Sequence, residues 1–137
     1  MNRLRLCPLT LVLLVVGCAP TMRTIHFSSE PAGARVFYGM GANEDFGAPK
    51  EFLGTAPCDW TVEVNGDGSF KLPSALVYST FVPPVAVFEA RPSESMSNCF
   101  VQRVVFHGGT LVHGPDKAPE QIFFRMTEPA PAKASGK

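Results

Sequence analysis

The side chains best suited to metal binding or nucleophilic chemistry in this 137-residue chain are three histidines and four cysteines. His107 and His113 lie close together in the sequence, whereas His26 is distant from both. A zinc site needs three or four convergent ligands, and the chain shows no histidine and cysteine spacing typical of one. We therefore predict no metal site and no cofactor, and we expect the histidines to lie on the surface or to be half-buried.

Other arrangements that could support catalysis are incomplete. Glu44, Asp45 and Glu51 flank a glycine-rich segment, and paired carboxylates can cleave glycosidic bonds, but neighbouring acidic residues in a loop are more commonly solvated. No serine lies in a G-x-S-x-G context, and there is no glycine-rich phosphate motif. A catalytic cysteine needs a histidine base and a lowered pKa, and no such pairing is visible. We predict no catalytic residue and a protein that is not an enzyme.

The first eighteen residues carry an export signal. Arg3 and Arg5 precede an apolar run from Leu6 to Val16, which is shorter than the roughly 20 residues that a membrane-spanning helix needs. A short apolar core between positive charge and small residues is typical of a secretory signal peptide. The segment Val15-Val16-Gly17-Cys18 resembles the lipobox of bacterial lipoproteins.

That resemblance implies cleavage before Cys18 and acylation of this cysteine. Several acyl chains would anchor the protein firmly in a membrane, since each buried CH₂ contributes about 0.8 kcal/mol. The resemblance places the protein in the cell envelope. Ala19 follows Cys18, whereas an aspartate there tends to retain Gram-negative lipoproteins in the inner membrane, so we expect the outer membrane if the host is Gram-negative.

Two cysteines remain after export and lipidation. Cys7 leaves with the signal peptide and Cys18 carries lipid, so that Cys58 and Cys99 form an even pair in an oxidising compartment. We predict a disulfide bond between Cys58 and Cys99. The alternative, a reactive thiol, lacks a histidine partner in the sequence.

The composition favours an all-β domain. The 13 prolines and 12 glycines indicate short elements joined by many turns, and the hydrophobic content of 45% is typical of a globular domain. The formal net charge is zero, so nothing attracts a phosphate backbone and we expect no nucleic-acid binding.

Alternating apolar and polar residues predict the strands. The pattern predicts a hairpin formed by strands 24–28 and 34–38, a strand around Trp60, and a hairpin turn over Asn65–Gly68. This turn resembles a calcium loop only faintly, because a true loop carries more carboxylates. Further strands are predicted over 76–82, 85–88, 100–106 and 122–126.

Two short motifs resemble the PEGA module of bacterial envelope proteins. The first is the S-x-P-x-G-A turn at Ser29–Ala34, and the second is Gly54-Thr55-Ala56-Pro57, which matches the family's G-x-T-P only as G-x-x-P. Both motifs contain a proline, which restricts the backbone, and a glycine, which allows unusual backbone angles, so each is suited to a sharp change of chain direction. The resemblance implies a small antiparallel β-sandwich that acts as a non-catalytic binding or attachment module.

The domain boundaries and the function follow from these observations. We expect a signal peptide over 1–17, a lipidated tether over 18–23, a PEGA-like β-sandwich over 24–127 and a disordered tail over 128–137. The protein is expected to serve attachment or scaffolding through an envelope protein or glycan partner. The alternative is a glycan-binding module that uses the Gly39–Phe52 loop, with Phe46 and Phe52 as candidate ligand contacts.

Overall fold

The described part of the chain folds into seven β-strands. The computed structural model describes residues 19–42, 47–72, 83–110 and 112–129, and these residues contain no helix. The strands are β1 Thr21–Glu30, β2 Arg35–Gly41, β3 Glu51–Thr55, β4 Cys58–Val64, β5 Val85–Arg91, β6 Gln102–His107 and β7 Gln121–Arg125. The predicted all-β class is confirmed.

The strands form two sheets. One has three strands in the order β4-β1-β7, and the other has four strands in the order β3-β2-β5-β6. All pairs are antiparallel except β1 and β7, which run parallel with Phe27 opposite Ile122. The expectation of a purely antiparallel sandwich is therefore wrong at this one pair.

The predicted hairpin between the first two strands is also wrong. β1 pairs with β4 and β7 in one sheet, whereas β2 pairs with β3 and β5 in the other. The chain crosses between the sheets at Pro31–Ala34, where Gly33 has a φ of +104°. Turn residues identify a corner but not the strand that pairs beyond it, because many strands satisfy the same backbone hydrogen bonds.

A second crossing lies beside the first. It connects β3 to β4 through Ala56 and Pro57. The Gly33 amide donates to the Ala56 carbonyl at 2.8 Å, and the Ala56 amide donates to the Ala34 carbonyl at 2.8 Å. The two sequence motifs thus form one hydrogen-bonded double corner, with Ala34 and Ala56 buried between the sheets.

The hydrophobic core lies between the two sheets and is rich in aromatic rings. Phe88 of β5 is fully buried, and its ring centroid lies 5.2 Å from that of Phe27 and 5.8 Å from that of Trp60, both on the three-stranded sheet. It also lies 5.1 Å from Tyr38 and 5.9 Å from Phe106 on its own sheet. Phe88 therefore holds the two sheets together, as expected of packed aromatic rings at these separations.

The strand patterns agree with the faces that the sequence predicts. Ile25, Phe27, Ile122 and Phe124 are buried while their neighbours in sequence are exposed, as alternation requires. β5 differs, because every residue from Val85 to Ala90 is buried. A strand covered on both faces has no alternation to reveal its core face.

The boundaries shift slightly from those predicted. β1 begins at Thr21, so its first residues fall in the segment expected to be a tether. Within the residues that the structure describes, no helix is long and apolar enough to span a membrane. The predicted signal peptide, the strand over 76–82 and nearly all of the predicted tail lie outside the described residues.

Candidate functional site

The predicted site residues are only partly covered by the structure. Cys18 and Phe46 lie outside the described residues, as do Glu44 and Asp45. Phe52 is described and is 51% exposed. It lies on β3 at the edge of the four-stranded sheet, so one of the two proposed ligand contacts of the Gly39–Phe52 loop is open to a partner.

The same loop borders a pocket of about 480 Å³, which we call the loop pocket. It is lined by Tyr38, Gly39, Met40, Gly47, Ala48, Lys50 and Glu51. The pairing of Tyr38 with Glu51 across β2 and β3 puts these two side chains on one face of the sheet. Phe52 lies on the opposite face, so the loop pocket and Phe52 are separate surfaces.

Tyr38 is the unusual member of the loop pocket. Its side chain is 6% exposed, and its hydroxyl is buried without a hydrogen-bond partner. Burial raises the pKa of Tyr38, and the nearby Glu51 carboxylate raises it further, so the hydroxyl stays protonated. A buried donor without a partner is costly, which makes this hydroxyl the unusual polar group of the loop pocket lining.

His107 and His113 are brought together in a second pocket of about 720 Å³. The His107 amide donates to Asp116 Oδ2 at 2.7 Å, and the His107 ring Nδ1 lies 3.3 Å from the same oxygen. Thr110 Oγ1 accepts from the His113 amide at 3.0 Å. These bonds close the loop on itself, with Thr110 Oγ1 as an acceptor for the backbone.

His26 lies in the other sheet. Its ring is hydrogen-bonded to Asp59 on the neighbouring strand, and both side chains are about 60% exposed. Among the described residues, no three His, Cys, Asp or Glu side chains converge so as to hold a metal ion. The two exposed side chains form a solvated pair on the outer face of the sheet.

Cys58 and Cys99 are both half-buried and are both free thiols in this structure. Burial raises the pKa of the Cys58 thiol, and the adjacent Asp59 carboxylate raises it further. A raised thiol pKa is the opposite of the lowered pKa that a nucleophilic cysteine needs.

The calcium-like segment is a turn, as preferred from the sequence. Asp67 Oδ1 accepts from the Ser69 amide at 2.9 Å and from the Ser69 hydroxyl at 2.6 Å. Asn65 Nδ2 donates to Ser69 Oγ at 2.9 Å. Because the polar side chains bond to one another, the segment is stabilised as a turn without a cation.

Sequence reasoning missed one polar cluster. Glu89 is only 4% exposed and is held by Arg91 and Arg103. The signal that could have revealed it is a glutamate inside the otherwise apolar run of β5, because a buried carboxylate requires a cationic partner. No sequence pattern could have revealed that the Tyr38 hydroxyl lacks a hydrogen-bond partner, since this depends on residues that are close in space but distant in sequence.

Comparison of this chain with protein-family models, curated proteins and solved structures finds no match. The resemblance to the PEGA module therefore rests on the two corner motifs.

Proposed function

We propose that this protein is a non-catalytic, lipid-anchored envelope protein whose β-domain, a PEGA-like module, serves attachment or scaffolding. The lipobox-like segment ending at Cys18 carries the proposal. The double corner at Ser29–Ala34 and Gly54–Pro57 supports it, since the residues of the two resembling motifs meet in one structural unit. The strand that follows the anchor begins at Thr21, which leaves a short tether.

Mass spectrometry of the full chain from its native membrane tests this proposal. We expect a mass equal to residues 18–137 plus acyl chains. A Cys18→Ser variant should lose the acyl mass and leave the membrane fraction, whereas Cys7→Ser should keep both, because Cys7 lies in the segment that is removed. An unacylated wild-type chain would refute the anchor.

The same preparation tests the Cys58–Cys99 disulfide, which we retain as a proposal for the exported protein. Reduction should add the mass of two hydrogens if the bond forms in the envelope. An unchanged mass would show that both thiols stay free there, as they are in the structure.

A second candidate function is glycan binding by the loop pocket. The unpartnered Tyr38 hydroxyl favours it, because a sugar oxygen would accept from this protonated phenol once the lining moves enough to expose it. The charged Lys50 and Glu51 in the lining add groups that bond to sugar hydroxyls. A glycan array probed with wild-type protein and with Tyr38→Phe tests the candidate.

The phenylalanine variant should lose array binding by about tenfold while it keeps the fold, since only one hydroxyl is removed. Ser69→Ala is a suitable control, because it removes a buried hydroxyl from the Asn65–Ser69 turn, outside the loop pocket lining. Equal binding by wild type and Tyr38→Phe would refute the loop pocket as the glycan site.

A further inference from the structure

The outer face of the four-stranded sheet carries a cluster of guanidinium groups and aromatic rings, which we call the aromatic–arginine face. Its members are Arg35, Phe37, Phe52, Glu89, Arg91 and Arg103. Phe37 lies opposite both Phe52 and Glu89 in the strand register, and Glu89 lies opposite Arg103. Residues paired in this way share one face of a sheet.

Two of the three arginines are already partnered. Arg91 Nε donates to Glu89 Oε1 at 2.7 Å, and Arg103 donates to Glu89 Oε2 through Nε at 3.1 Å and through a terminal nitrogen at 2.5 Å. Arg91 also donates to the Pro49 carbonyl at 2.7 Å. Both oxygens of Glu89 are therefore occupied by Arg91 and Arg103, and the face holds three guanidinium groups but one carboxylate.

Arg35 differs from the other two. Its guanidinium carbon lies 5.3 Å from the ring centroids of both Phe37 and Phe52, and no carboxylate in the described part of the chain pairs with it. Arg35 is exposed, and Phe52 is 51% exposed beside it. The Arg35 position therefore offers an unpaired, planar cation next to an accessible aromatic ring.

The position of this face argues against a membrane headgroup as its ligand. Cys18 lies just before the start of β1, and Arg35 follows the corner at the other end of that strand. Ten residues of strand span about 30 Å, because each residue rises about 3.3 Å. Charges at that separation are screened at physiological salt, where the Debye length is about 8 Å.

We propose that the aromatic–arginine face binds a carboxylate-bearing glycan of the cell envelope. The Arg35 guanidinium would pair with a sugar carboxylate, and the Phe52 ring would pack against the apolar face of the same sugar. This inference rests on the proposed lipid anchor in one respect only: the anchor is the reason to prefer a glycan away from the membrane over lipid headgroups. It concerns a different face of the sheet from the loop pocket.

Titration of the full chain in neutral detergent with hexagalacturonate, a linear hexamer of a carboxylated sugar, tests the inference. We expect binding that weakens with added salt and that falls about tenfold or more in Arg35→Gln, since a charge-assisted contact is lost. Phe52→Ala should weaken it several-fold, and Arg35→Lys should retain only part of it, because lysine keeps the charge but not the planar fork. Arg125→Gln, an exposed arginine of the other sheet, should bind like wild type.

Three comparison ligands test whether binding requires a carboxylate and whether that carboxylate must be on a sugar. Maltohexaose should not bind, while hexaglutamate and phosphatidylglycerol vesicles should bind at least tenfold more weakly than hexagalacturonate. Equal loss in Arg35→Gln and Arg125→Gln would overturn the site, and tighter binding to the peptide or the vesicles would overturn the glycan assignment. The titration in detergent does not depend on acylation. A failure to bind the glycan is therefore distinguishable from a missing lipid anchor, which the intact mass of the protein reports.

Discussion

At the scale of single residues, Tyr38 combines a stabilising ring with a costly hydroxyl. The ring packs 4.7 Å from Trp60 and 5.1 Å from Phe88 between centroids, whereas the hydroxyl has no partner. Core packing therefore selects an aromatic ring at this position but does not explain a tyrosine.

Replacement of Tyr38 by phenylalanine is expected to stabilise the unliganded protein by about 1 kcal/mol, because it removes an unsatisfied buried polar group. Urea denaturation monitored by the single tryptophan measures this. The matched control is Ser69→Ala, which removes a buried hydroxyl that does have partners and should destabilise by about 1 kcal/mol. A destabilised Tyr38→Phe would show that the hydroxyl is bonded in solution.

Asp67 makes stability depend on acid pH. The Ser69 hydroxyl and then the Ser69 amide lower the pKa of the Asp67 carboxyl. Because the folded-state pKa is below that of the unfolded chain, the ionised group stabilises the fold at pH values above about 4. This contribution is lost as the pH falls through the lower, folded-state value.

Asp67→Asn should therefore lower the free energy of unfolding at pH 7 and change it little at pH 2. Urea denaturation at the two pH values measures the difference. Glu94→Gln, a change at an exposed carboxylate, should follow the wild type at both. A deficit in Asp67→Asn of equal size at both pH values would contradict the role of ionisation.

At the scale of elements, the double corner determines how the strands are divided between the sheets. Ser29 Oγ donates to the Pro31 carbonyl at 2.8 Å and accepts from the Ala34 amide at 3.3 Å. These bonds turn the chain out of β1, and the bonds between Gly33, Ala34 and Ala56 join the two crossings. The S-x-P-x-G-A residues therefore each have an identifiable structural task.

Gly33→Ala is expected to destabilise the protein by about 1–2 kcal/mol, because a φ of +104° is unfavourable for a residue with a Cβ atom. The added Cβ would meet nothing closer than Ser93 Oγ at 3.9 Å, so the cost comes from the backbone alone. Thermal unfolding provides the measurement. In the control Gly66→Ala the Cβ enters open space, and a loss as large as that of Gly33→Ala would contradict the argument.

At the scale of the whole molecule, the sheets are held together by a small number of rings. Phe88 is at their centre, and the rings of Phe27, Tyr38, Trp60, Phe70 and Phe106 surround it. Loss of the central ring would leave a cavity that the surrounding side chains fill only in part.

Phe88→Ala should therefore cost about 3–5 kcal/mol or abolish cooperative unfolding. Phe88→Leu, which retains much of the volume, should cost clearly less. Denaturant titration compares both with Phe123→Ala, whose ring is 53% exposed and whose loss should change stability by less than about 0.5 kcal/mol. Similar losses for Phe88→Ala and Phe123→Ala would refute a core organised around Phe88.

The molecule also has two distinct ends. The start of β1, next to the proposed anchor, lies near the Asn65–Ser69 turn, since Thr21 pairs with Val64. The double corner and Arg35 lie at the other end of that strand. Arg35 of the aromatic–arginine face is thus separated from the Asn65–Ser69 turn by about the length of β1.

Local sequence determined the features that depend on neighbouring residues. The sequence alone predicts the buried face of β1, the turn at Asn65–Gly68 and the corner at Pro31 and Gly33. These features depend on side-chain direction and backbone freedom, which are local properties. The all-β class followed from them. The predicted export signal and the predicted acylation of Cys18 likewise depend on a contiguous segment.

Tertiary structure alone decided which strands pair and which side chains meet. The periodicity of a strand specifies its buried face but not its neighbour, so the crossing between β1 and β2 was mistaken for a hairpin. The unpartnered hydroxyl of Tyr38 and the grouping of Arg35 with Phe52 arise between residues distant in sequence. Contacts of that kind are selected by the packing of the whole core, which no local pattern encodes.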